Sequence, residues 1–166
     1  MKEKAIGFRV SPTEICYSIV VDGEEIEIIS ISSLKIPIAV DDPQKLSFIR
    51  NTISTILIQY KIEYAGIKLI EGSARGSLNN GLIFRFNVEG VLKELLANSC
   101  IKNCLLGLST NIASILGISK AKPAEMLDSI LENTDLETDN GKKLTAEHKE
   151  SVLVAVAALK DGIKNE

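Results

Sequence analysis

The hydrophobic period of this chain first changes after a long strand-like opening, and that change narrows what it can fold into. As far as Ile36 the apolar residues alternate in strand fashion. "KAIGFRVS" and "EICYSIVV" are separated by "PT", and "GEEIEIISISSLKI" follows an Asp22-Gly23 turn. These three segments predict an antiparallel meander. The period then switches at "AVDDPQK", where Asp42 as N-cap and Pro43 at the first helical position announce a helix. Behind it Leu46, Ile49, Ile53, Ile56 and Tyr60 recur at three- and four-residue spacing, which predicts one buried helical face.

From there strands and helices alternate. "YAGIKLIE" reads as a short strand buried on both faces. "LIFRFNVEGVLKELLANS" has helical spacing through Phe84, Val88, Val91, Leu92 and Leu95, and "IKNCLLGLS" reads as a further buried strand. Thr110 is placed to cap "NIASILG", with Gly117 as its stop, and "KPAEMLDSILEN" gives another short helix. "TDLETDNGKK" reads as a mobile loop. In "TAEHKESVLVAVAALKDG" a helical stripe of Val152, Ala155, Val156 and Leu159 runs to a stop at Gly162. Strands joined through helices pair in parallel, so a parallel half is attached to the meander, with helices on both faces. The expectation is one mixed α/β domain spanning residues 1–166.

Composition excludes more than it identifies. The hydrophobic share of 45% and charged share of 25% are those of a water-soluble globular protein, and no apolar run approaches a membrane span. "MKEKAIGFRV" enters a strand pattern without a signal-peptide core, so the cytoplasm is the expected location. Cys16, Cys100 and Cys104 form no C-x-x-C pair and sit among apolar neighbours, which predicts buried reduced thiols. A net charge of −3 does not announce a nucleic-acid binder, yet it permits a local basic face.

The stretch "IKLIEGSARGS" raises the functional question, because an apolar strand runs into a lone acid, Glu71, and then a glycine-punctuated loop bearing Arg75. Backbone amides and arginine together suit phosphate contacts, and a plain connector has the same composition. Arg75, Ser77, Asn79 and Arg85 are the candidate nucleic-acid contacts. No Walker or dinucleotide fingerprint is present, and aromatic residues for stacking are scarce.

Several motifs resemble one family. "AIGFRVS", "KLIE", "IFRFNVEGVL" with Gly90, "LSTNIASILG" and "EHKESVLVAVA" are similar to successive segments of the RuvC-type resolvase branch of the ribonuclease H-like superfamily. "IEGSARGSLNNGLIFRF" also resembles uncharacterised bacterial ribonuclease H-like domains. The resemblance covers nearly the whole chain and implies a mixed five-stranded sheet, the antiparallel meander continued by parallel strands. It also implies two-Mg²⁺ phosphodiester hydrolysis, with carboxylates from distant segments meeting at one spot. Carried over by position, Glu71 takes the fourth-strand place, and Glu147 and Glu150 take the final-helix places.

At the first-strand place, where the family has an aspartate, this chain has Arg9. A guanidinium offers a cation no lone pair and carries its own fixed charge. Arg9 is expected to pair with Glu71 or Glu150, leaving a degenerate site that needs no cofactor and binds nucleic acid or a protein partner. The alternative is an active Mg²⁺-dependent endonuclease ligating metal through Glu71, Glu147 and Glu150. Glu14 could supply a missing acid in that case, although it lies beyond the "SPT" turn. A third reading is a structural or assembly subunit, with a homodimer through helix faces implied by the resemblance. His148, the lone histidine, reads as a solvated helix-start residue beside the acid pair.

Overall fold

The computed structural model describes residues 2–71, 78–131 and 135–165. The alternating first third forms β1 (Lys4–Val10), β2 (Glu14–Val21) and β3 (Glu27–Lys35), paired antiparallel as a meander. Ser11 closes the first turn, its hydroxyl donating to the Glu14 carbonyl at 2.9 Å. After helix α1 (Asp42–Tyr60), β4 (Tyr64–Lys68) pairs parallel with β1. Helix α2 (Asn80–Ala97) returns the chain to β5 (Asn103–Gly107), parallel with β4. The sheet order is β3-β2-β1-β4-β5. Three helices follow: α3 (Ser109–Leu116), α4 (Pro123–Asp128) and α5 (Ala146–Lys164).

Strand alternation sorts side chains into two cores. Ile6, Phe8, Ile15, Ile19, Ala65 and Ile67 face α1 and α2, against Ile49, Ile53, Val88 and Leu92. Ala5, Val20 and Tyr64 face α5, with α3 and α4 packed outside it. Helices therefore cover both faces, as the sequence pattern predicts. Helix α5 lies very close to the sheet because β1 and β4 present Gly7 and Gly66 to it. A methyl added at Gly66 would come within 2.7 Å of the Val154 carbonyl, and one at Gly7 would overlap the Ser151 carbonyl.

Several local expectations need correction. Asp41, not Asp42, caps α1, accepting from the Gln44 amide at 2.9 Å, so Pro43 falls at the second helical residue. Strand β5 is only partly buried because it is the sheet edge, with Leu106 exposed. Thr110 lies inside α3; the Asn111 side chain instead accepts the Leu108 amide at 3.1 Å. Gly162 does not stop α5. It sits within the helix, where a side chain would collide with the Tyr64 ring. The described part of the acidic loop is docked, since Asp139 accepts from the Ser30 hydroxyl at 2.6 Å and the Ile31 amide at 2.9 Å. Of the cysteines, Cys16 is buried, Cys104 partly so and Cys100 exposed.

Candidate functional site

Two parallel neighbours, β1 and β4, carry glycine and then a cation on the face toward α5. Gly7 pairs with Gly66, and Arg9 with Lys68. Two residues along a strand is about 6.6 Å, and four residues along a helix about 6 Å. Helix α5 places Val154 over the glycine layer. One turn earlier, Glu150 meets the cation layer. Arg9 Nε donates to Glu150 Oε2, and Arg9 Nη1 donates to the Val10 carbonyl at 2.7 Å. The expected pairing of Arg9 with a carboxylate is thus formed, and the partner is Glu150.

Lys68 is the residue that sequence reasoning missed. It is 4% exposed, and its Nζ donates to Glu71 Oε1 at 3.1 Å and to the Leu69 carbonyl at 3.1 Å. A buried ammonium needs such partners, because desolvation without them is prohibitive. The signal was available as a lone charge inside "YAGIKLI", in phase with Gly66 rather than with Ile67. Glu71 lies three residues past the end of β4, so the strand position beside Arg9 is held by Lys68 and not by Glu71.

Glu71 is nevertheless drawn to this pole. The Ser109 hydroxyl and the Ser109 backbone N–H, which donates at 2.8 Å, combine with Lys68 to hold its carboxyl at about 2, against the opposing effect of burial. The amide comes from the first residue of α3, where helical N–H groups have no intrahelical partner. Glu147 forms no hydrogen bond or ion pair among the described residues, although its charge acts on Arg85, Cys16 and His148.

Helix α2 contributes a second layer. Glu89 is 2% exposed and accepts the Ile70 amide at 3.1 Å; burial pushes its carboxyl above the ordinary range. Arg85 has a buried Nε with no hydrogen-bond partner among the described residues. Burial, and then the positive charge of Arg9, lower its pKa. Asn79 caps α2 by accepting the Leu82 amide at 2.9 Å. Arg75 and Ser77 lie outside the described residues.

His148 is buried at 7% exposure, contrary to the solvated histidine expected. The Thr145 amide donates to Nδ1 at 3.2 Å, which leaves Nε2 to donate to the Ser33 hydroxyl at 2.8 Å. Both nitrogens serve the helix cap and the β3 contact, and burial lowers its pKa. Glu14 pairs with Lys35 on the same side, away from Glu71 in the strand order.

Among the described residues the donor set does not suit a divalent ion. Mg²⁺ takes six oxygen ligands in a near-octahedral shell. Among the described residues no three His, Cys, Asp or Glu side chains are grouped so as to hold one. Glu150 and Glu71 each already face a cation, and the small cavity of about 50 Å³ beside Glu150 is lined by Lys68 as well.

A mixed sheet of order 3-2-1-4-5, helices on both faces and a polar cluster where β1 and β4 meet α5 define a ribonuclease H-like fold. Solved structures narrow this to the RuvC-type arrangement. Thermus thermophilus RuvC superposes with a TM-score of 0.73 at 11% identity, covering 98% of this chain and 96% of that one. The same protein in complex with Holliday junction substrate gives 0.72 at 9% identity, covering 97% and 96%. The yeast mitochondrial Holliday junction resolvase Ydc2 gives 0.65 at 15% identity, covering 98% of this chain and 81% of that one. At these identities the likeness is one of fold. No protein-family model matches the chain, and no match was found among curated proteins.

Proposed function

We propose that this protein is a RuvC-like nuclease fold whose metal-dependent centre has been replaced by fixed cations, and that its former active-site cleft binds nucleic acid. The reading rests above all on the Arg9–Lys68 register pair, with Glu150 and Glu71 each bonded to one of them. A guanidinium and an ammonium supply the positive charge that two metal ions would bring, without a Lewis-acidic position for an attacking water. Arg85, partly exposed, extends the cationic character along α2, and its guanidinium suits a phosphate oxygen. Arg75 and Ser77 rest on the composition of their loop alone, since both lie outside the described residues. One of the structures sharing this fold holds a Holliday junction, which makes branched DNA the first substrate to try.

The decisive experiment compares metal response with DNA binding. Mg²⁺ and Mn²⁺ at millimolar concentration are expected to leave the melting temperature unchanged, because only a bound ion stabilises by mass action. Junction and duplex DNA are expected to bind with affinity that falls steeply with salt and drops about tenfold in Arg85→Ala. A metal-induced rise abolished by Glu71→Ala, together with Mn²⁺-dependent cleavage, would instead establish the active nuclease with Glu71, Glu147 and Glu150 as ligands. Salt-independent or absent binding to junctions, duplexes and RNA would favour a protein partner or an assembly role.

A further inference from the structure

At the opposite pole of the sheet lies a groove that the proposed cleft does not use. Its volume is about 830 Å³, and its walls are the C-terminal halves of α1 and α2. The floor is aliphatic: Leu57, Ile62 and Leu95 close its base, and Ile58 stands at its edge, 75% exposed. Among the described residues no aromatic ring lines it, and none there offers a stacking platform for a base.

The rim is predominantly cationic, with Glu63 the one acid among the described lining residues. Arg50 on α1 and Lys61 at its C-cap are eleven residues apart, about 16 Å at the helical rise. Lys4 and Lys102 add charge from the starts of the facing strands. Arg50 bonds to Glu94 and Lys102 to Glu63, whereas Lys4 and Lys61 form no ion pair among the described residues. An aliphatic floor bordered by cations over three helical turns matches one kind of occupant. It must be elongated, apolar on one side and acidic on its flanks.

We infer that this groove receives an acidic amphipathic helix of a partner protein. Such a helix places apolar residues at i, i+3, i+4 and i+7 on the floor and carboxylates against Lys4 and Lys61. The inference is independent of whether the distant cleft binds metal or nucleic acid. Cys100 supplies a reporter, being exposed and within the groove lining, while Cys16 is buried.

The test uses the full chain and a synthetic 15-residue helix with leucines at those spacings and glutamates elsewhere. Alkylation of Cys100 by iodoacetamide is followed by mass spectrometry. The acidic peptide is expected to slow alkylation at least fivefold. That protection should be lost in Ile58→Glu and reduced about tenfold in affinity in the Lys4→Glu/Lys61→Glu variant, both with unchanged melting temperature. The same peptide with lysine for glutamate should not protect. No protection by the acidic peptide, equal protection by the basic one, or protection by single-stranded DNA instead would each overturn the inference.

Discussion

Arg9 and Glu150 are both mostly buried, so their bond lies between the weak surface limit and the costly buried one. Arg9→Ala is expected to destabilise by roughly 1–3 kcal/mol, because it leaves the mostly buried Glu150 without its cation. A double-mutant cycle with Glu150→Gln, read by urea denaturation, should recover about 1 kcal/mol or more of coupling. Zero coupling would mean the pair is only an accident of proximity. Glu71 yields a pH prediction with a definite sign. Its carboxyl is held at about 2, below the ordinary 4.5, so its contribution is present above about pH 4.5 and lost as pH falls toward 2. Glu71→Gln should therefore remove roughly 1–2 kcal/mol at pH 7 and flatten the acid limb of stability between those values. His148 titrates in the same direction nearer neutrality, since its burial favours the uncharged ring.

Among the elements, α5 determines how close everything else can come. Its contact with β1 and β4 depends on two glycines whose missing side chains leave room for the helix backbone. Gly66→Ala should cost roughly 1–3 kcal/mol through overpacking. Gly90 is the control. It lies on α2 with open space where a methyl would go, and Gly90→Ala should stabilise by up to about 1 kcal/mol through helix propensity. Thermal denaturation of the two variants separates packing from propensity. The same closeness brings Glu150 within reach of Arg9, so fold and site share one cause. Strand and helix types were legible from period, and α5 from its small apolar run. Its true extent was not, because Gly162 looks like a stop in sequence and serves as a contact with Tyr64 in space.

For the whole molecule, the proposed function raises the question whether substitution can give the pole near Arg9 an affinity for metal. The family resemblance alone suggests Arg9→Asp. The register adds that Lys68 would still sit beside the new aspartate, its ammonium filling the same space. Arg9→Asp/Lys68→Glu is therefore the variant expected to gain a Mn²⁺-dependent rise in melting temperature, with Arg9→Asp alone showing little. Calorimetric titration with Mn²⁺ checks this. A full response in the single variant would remove Lys68 from the explanation.

The chain's own pattern determined the three-strand meander, the later alternation of strand and helix, and helices on both faces of the sheet. Those follow from local periodicity, which needs no knowledge of distant neighbours. The family resemblance, rather than periodicity, marked Arg9, Glu71, Glu147 and Glu150 as residues worth placing. Tertiary structure alone decided that Glu150 is the partner of Arg9 and that Lys68 stands beside it. It also decided that Ser109 holds Glu71, and that His148 turns inward to Ser33. Each of these is a meeting between segments whose separation in sequence carries no record of strand register or of how near a helix can approach two glycines.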